Sequence, residues 1–208
     1  MIERDKFPAG PALAYDTLRA KLKTGDVLIC SGTGIFSGMI QQATDSVWSH
    51  VGMIVRLDDV DRVMLLESLE PVGVRTVRLS SYLDGYDPQK RTAYKGGLVI
   101  IRHKDFTAGV PNSKLRKLIQ FAVDRFGYPY DRDEIAKIAS RIMAWKIPFT
   151  KRQMRRIEPD EEYICSEYVA KCYEEIGISV QWNPAGFVAP ADFASDPSFS
   201  LVGIMKTL

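Results

Sequence analysis

Ser49-His50-Val51-Gly52-Met53-Ile54-Val55-Arg56-Leu57-Asp58-Asp59-Val60-Asp61-Arg62-Val63-Met64-Leu65-Leu66-Glu67-Ser68 reads as two strands joined by an acidic turn. Apolar and β-branched residues dominate both arms, and the aspartates between them mark the reversal. Folded symmetrically about Asp58 and Asp59, the hairpin sets His50 opposite Glu67. Side chains alternate between the two faces of a strand, so His50, Gly52 and Ile54 share a face with Val63, Leu65 and Glu67 in this register. An acid therefore lies beside an imidazole. Glu67 follows Val63-Met64-Leu65-Leu66, and a charge at the rim of a buried strand demands a partner. A carboxylate there can hold one ring nitrogen and leave the other to take a proton from a thiol.

The chain has 2 histidines, so imidazole chemistry rests on His50 or His103. His103 follows Leu98-Val99-Ile100-Ile101-Arg102 at a strand end and reads as a surface residue. The thiol is found downstream in Tyr163-Ile164-Cys165-Ser166-Glu167, where an extended stretch gives way to an amphipathic helix. Unpaired N–H groups and the helix dipole favour a thiolate at that position. The same cysteine also falls on the stripe Cys165, Tyr168, Val169, Cys172, Tyr173 and Ile176, which fits a small core residue as well. Glu158, Asp160, Glu161 and Glu162 just upstream would raise a thiol pKa. Cys30 at a strand end and Cys172 within a helix are poorer nucleophiles.

Outward from the hairpin, strands are expected over 26–30, 50–56, 63–68, 72–79, 98–102 and 199–205. Helices are expected over 35–43, over 113–126 with Ser113 as cap and Gly127 as stop, over 135–143, and from Cys165 to Ile176 with Gly177 as stop. Residues 1–24 read as an arm that can end in a short helix. Blocks of helices and antiparallel strands define an α+β class, with a sheet or partial barrel packed against helices. The expected organisation is one domain over 1–208, carrying the arm and a helical insertion at about 130–157. Gly32, Gly34 and Gly38 match neither the dinucleotide fingerprint nor a Walker motif.

Hydrophobic residues make up 46% of the chain, and 28 lysines and arginines against 26 acids leave a net charge of +2, which gives no bulk argument for nucleic acid. Three cysteines suit reduced thiols rather than a disulfide scaffold, and the histidines and cysteines show no zinc-type spacing. No metal or cofactor is expected. The charged start Met1-Ile2-Glu3-Arg4-Asp5-Lys6 does not resemble a secretory leader, so a cytoplasmic location is expected. Lys146, Lys151, Arg152, Arg155 and Arg156 gather among Trp145, Ile147, Phe149 and Met154; this run is either a solvated face or a surface for anionic lipid, which would make the protein peripheral to a membrane.

Gly25-Asp26-Val27-Leu28-Ile29, Ile40-Gln41-Gln42-Ala43-Thr44, Trp48-Ser49-His50-Val51-Gly52-Met53-Ile54, Leu66-Glu67 and Tyr163-Ile164-Cys165-Ser166-Glu167 occur in an order that resembles the circularly permuted branch of the NlpC-type papain-like superfamily, the YiiX-like proteins. The likeness runs from about residue 24 to 177. It implies a papain-like fold with Cys165 as nucleophile, His50 as general base and then acid, and Glu67 as the residue orienting the ring. The Cys165 N–H and a second donor, for which Tyr163 is the candidate, would meet the oxyanion. Ser49 is a further candidate beside the histidine. Trp48 either walls a substrate groove or plugs the sheet edge.

The activity that follows is hydrolysis of an amide in a small peptide of cell-wall type. Permuted relatives resembling lecithin retinol acyltransferase share the histidine-first order, which keeps a lipid or N-acyl hydrolase or acyltransferase open. A noncatalytic binding module with the same fold is the third reading.

Overall fold

A computed structural model of the chain describes residues 2–87, 91–130, 164–181 and 187–206. Among these residues the elements run β1 (Ala12–Leu13), α1 (Tyr15–Arg19), β2 (Val27–Gly32), α2 (Ile35–Thr44), β3 (His50–Leu57), β4 (Arg62–Leu69), β5 (Gly73–Arg78), α3 (Ser81–Asp84), β6 (Gly96–His103), α4 (Lys104–Ala108), α5 (Asn112–Val123), α6 (Cys165–Glu174), α7 (Pro190–Ser195) and β7 (Phe199–Met205). The helix expected over 135–143, the acids just upstream of Cys165 and the basic run from Lys146 to Arg156 lie outside the described residues.

Seven strands form an open sheet in the order β1-β7-β6-β2-β3-β4-β5. Neighbours pair antiparallel except at one edge, where β1 runs parallel to β7 and Ala12 faces Ile204. Two residues of strand between Pro11 and α1 carry too short a signal to be read from sequence. The central strands have nearly continuous apolar runs because both faces of the sheet are covered. On one face Val27, Ile29, Val51, Met53 and Val99 pack with Leu118 of α5, Tyr168, Val169 and Tyr173 of α6, and Phe193 of α7. On the other, Leu28, Cys30, Ile54, Leu65 and Ile100 pack with Leu18 of α1 and Tyr82 of α3. The mixed α+β class is therefore observed, with a sheet that does not close into a barrel.

The β3–β4 hairpin keeps the expected faces but not the expected register. Leu57 pairs with Arg62 and Met53 with Leu66, a displacement of two residues from symmetry about Asp58 and Asp59. A 3-10 turn over Asp58–Val60, followed by Asp61 at φ 49°, absorbs the extra chain. Because side chains repeat every second residue, a slip of two leaves each on its original face. His50 and Glu67 thus remain on one side of the sheet as diagonal rather than directly opposed neighbours.

The loop before His50 is fixed by the N-terminal arm. Trp48 is fully buried, its Nε1 donates to the Glu3 carbonyl at 3.0 Å, and its ring lies 5.7 Å from that of Phe7. Arg4 donates through Nε and Nη2 to the Thr44 carbonyl at 3.1 and 2.9 Å, closing the arm over the end of α2. Of the two readings of Trp48, the buried plug describes its position among the described residues. Trp48→Ala is expected to lower unfolding free energy by about 3–5 kcal/mol, the usual cost of emptying a large buried aromatic site. Urea denaturation followed by circular dichroism measures it.

His103 is a second departure. It is 4% exposed rather than on the surface, and its Nδ1 accepts the Asp105 N–H at 3.3 Å, capping α4. Burial lowers its pKa, which suits a ring that must stay neutral to accept that bond. His103 is thus occupied with structure.

Candidate active site

Local structure brings the histidine and the thiol to the ends of their elements. His50 is the first residue of β3, and Cys165 opens α6 directly after Ile164, which is in extended conformation. The chain changes from extended to helical at the sulfur, as the sequence implies. Helix α6 then packs along β3, β4 and α5. Both side chains are largely buried: His50 is 8% exposed and Cys165 3%.

The His50 ring has a partner on each side. Its Nε2 lies 2.8 Å from Oε2 of Glu67, a fully buried carboxylate. Cys165 stands close enough to act on the ring electrostatically, and since Nε2 is engaged with Glu67, Nδ1 is the nitrogen left for the thiol. Burial pushes the imidazole pKa down, but Cys165, joined by Glu67, outweighs it and holds the ring up to about 10. For Glu67 burial acts upward, and His50, Arg75 and Tyr82 overcome it to hold the carboxyl down to about 2. Imidazolium and carboxylate are the stable forms of the pair at neutral pH.

Two partners of Glu67 escaped the sequence reading. Arg75 donates from Nε at 3.0 Å and Nη2 at 2.8 Å to Oε1, and the Tyr82 hydroxyl donates to Oε2 at 2.5 Å. The first was within reach of the same pairing logic, because Arg75 faces Glu67 directly across β4 and β5. Tyr82 comes from α3 and carries no comparable local signal.

The remaining candidates are placed as follows. Ser49 is 2% exposed; its hydroxyl accepts the Gly32 N–H at 3.0 Å and donates to the Cys30 carbonyl at 3.3 Å, so it ties β2 to β3. Tyr163 lies outside the described residues. Cys30 and Cys172 are both buried, and burial is the main force raising their thiol pKa values, which leaves them poor nucleophiles.

Beside Cys165 opens a cleft lined by Met39, Ile40, Tyr130, Ile164, Phe187 and Pro190 among others. Its lining is predominantly apolar. The outer edge of α2 continues this character with Met39 at 52% and Ile35 at 90% exposure. The Ser166 hydroxyl donates to the Val188 carbonyl at 2.6 Å and thereby fastens the start of α6 to the segment that forms one wall.

A sheet carrying histidine and acid, with a cysteine at the head of a helix that follows them in the chain, defines a papain-like protein of permuted order. A family model described as permuted papain-like amidase enzyme, YaeF/YiiX, C92 family, matches residues 21–143, and the chain belongs to this family. The matched stretch contains His50 and Glu67 and ends before Cys165. The fold is similar to the crystal structure of metalloprotein yiiX from Escherichia coli O157:H7, DUF1105, with a TM-score of 0.59 and 21% identity over 90% of this chain and 98% of that one. Curated protein sequences give no significant match. Among the described residues of this chain, no group of three or more His, Cys, Asp and Glu side chains could hold a metal ion, and no helix is long and apolar enough to cross a membrane.

Proposed function

We propose that the protein is a cysteine amidase that cleaves its substrate through an acyl-enzyme, with Cys165 as nucleophile, His50 as proton carrier and Glu67 as the group that orients the ring. One observation carries this reading: the His50 ring lies between a buried carboxylate and the Cys165 side chain at the start of a helix. The Cys165 thiolate attacks the amide carbonyl carbon, and a C–S bond forms as the oxygen becomes an oxyanion. The Cys165 N–H at the head of α6 is one donor to that oxygen. Collapse breaks the C–N bond, and the His50 imidazolium gives its proton to the departing amine. Neutral His50 then takes a proton from water, whose oxygen attacks the thioester. The C–S bond breaks, the acid leaves, and sulfur and ring are free for the next turnover.

The first substrate reading is an amide in a small peptide of cell-wall type. The apolar cleft beside the sulfur favours a second, an amide or ester whose acyl part is a hydrocarbon chain, because Met39, Ile40, Phe187 and Pro190 offer burial to methylenes worth about 0.8 kcal/mol each. Incubation with muropeptides, N-acyl amino acids and phospholipids, with release of amine and fatty acid measured for each, separates the two. Amine release from muropeptides alone supports the first reading, and turnover confined to acyl-chain substrates supports the second. Tight binding that Cys165→Ala leaves intact, with turnover of nothing in the panel, would make the protein a binding module and end the amidase proposal.

The basic run Lys146, Lys151, Arg152, Arg155 and Arg156 would draw the protein to a membrane-bound substrate by attraction to anionic lipid. Sedimentation with anionic vesicles, lost on raising salt or on reversing these charges, is the expected behaviour; equal binding to neutral vesicles would remove this role.

A further inference from the structure

Glu67 has no exposed surface, yet its two oxygens are held unequally. Oε1 is gripped by Nε and Nη2 of Arg75, whereas Oε2 is shared between the Tyr82 hydroxyl at 2.5 Å and His50 Nε2 at 2.8 Å. A carboxylate oxygen has two lone-pair directions in its plane. With Tyr82 on one of them, the ring must approach along the other. Tyr82 cannot swing aside: it is fully buried, and its ring packs at 4.8 Å from Tyr86 and 5.2 Å from Tyr94. Arg75 meanwhile prevents the carboxylate from turning about its own axis.

We propose that Tyr82 and Arg75 are positioning residues: they fix the plane and the free lone pair of Glu67, and so set the direction in which the His50 ring presents Nδ1 to Cys165. The inference builds on the Cys165-His50 pair of the proposed function, but neither residue needs to touch a substrate. The bland alternative is that a buried carboxylate merely requires donors to satisfy it. The two accounts predict opposite behaviour of the histidine when the hydroxyl is removed. If Tyr82 only neutralises charge, Tyr82→Phe leaves more negative charge on Oε2 and His50 titrates higher. If Tyr82 holds the geometry, the ring drifts from Cys165 and loses the contact that does most to raise its pKa, so His50 titrates lower.

Because the chain has 2 histidines, ¹⁵N labelling of the imidazoles gives two sets of ring signals, and His103 serves as the internal control. Tyr82→Phe is expected to lower the His50 midpoint by about half a unit or more. Alkylation of Cys165 by iodoacetamide at pH 7, read by peptide mass spectrometry, should slow by about fivefold or more as the sulfur loses the ring beside it. His103 should not move. Tyr86→Phe removes a neighbouring hydroxyl from the same aromatic cluster and should leave both readings unchanged.

An unchanged or raised His50 midpoint with ordinary alkylation in Tyr82→Phe overturns the inference. If that variant does not fold, Arg75→Gln decides, since Arg75 is part-exposed and the change stays polar: an unaltered His50 overturns the inference and a lowered one supports it, with Arg75→Lys recovering part of the effect. These readings use no substrate. A protein that cleaves no amide yet shows the downward shift disproves the proposed activity and leaves this inference standing.

Discussion

Cys165→Ala is expected to abolish amide cleavage, with a fall in kcat on the order of 10⁴-fold or more and with substrate affinity retained. That factor corresponds to about 5.5 kcal/mol of transition-state stabilisation. It is large because His50 and Glu67 have no bond to make or break once the sulfur is gone: the imidazolium can still face the leaving nitrogen, but nothing attacks the carbonyl. The fold should survive. Cys165 is a small side chain at the first residue of α6, and the helix keeps the Ser166 bond to Val188 and the burial of Tyr168, Val169 and Tyr173. Parallel substitutions at Cys30 and Cys172 separate catalysis from packing. Both are fully buried in the apolar clusters, so Ala at either should cost stability and spare turnover. Single-turnover kinetics and urea melts on the three variants check the prediction; a Cys165→Ala protein that retains more than about a hundredth of wild-type kcat would move the nucleophile elsewhere.

The site was partly legible in the sequence for a definite reason. Strand periodicity puts His50 and Glu67 on one face whatever the loop does, provided the register slips by an even number of residues. The actual slip of two, caused by the 3-10 turn and Asp61, spared the pairing of functions while replacing the direct opposition by a diagonal. The helix start at Cys165 was legible because amphipathic spacing and an extended approach are both local properties. Trp48 was not settled in the same way, since its hydrogen bond to Glu3 spans most of the arm and first helices, and no local pattern encodes it. His103 misled because a histidine at a strand end reads as exposed unless the following Lys104-Asp105 is recognised as a helix start in need of a cap. Arg75 was recoverable by extending the pairing from β4 to β5, whereas Tyr82 reaches Glu67 from α3 through the packing of three tyrosines, which strand periodicity does not encode. Tertiary assembly, not local propensity, supplies that part of the site.

Glu67→Gln is the second substitution with a large expected effect, and its signature is a displaced pH profile. The proposed mechanism needs His50 protonated when the amine departs, so wild-type kcat/KM should fall on the alkaline side as pH passes about 10. Glutamine keeps the shape and offers Nε2 an acceptor, but removes the charge and one of the causes that hold the ring up. The alkaline limb should therefore move down toward the ordinary histidine value of 6.5, and kcat/KM at neutral pH should drop roughly 10²- to 10⁴-fold. Stability follows the same linkage. The raised ring contributes stability that is complete below 6.5 and is lost as pH rises through about 10. The depressed carboxyl contributes stability that is complete above 4.5 and is lost as pH falls through about 2. Removing the carboxylate erases the acid-side loss belonging to Glu67 and weakens the alkaline-side loss belonging to His50, so thermal midpoints of Glu67→Gln should vary less with pH at both ends while lying lower between them. A variant whose alkaline limb stays near pH 10 would mean that Glu67 does not hold the ring in its charged state, and that Cys165 alone does so.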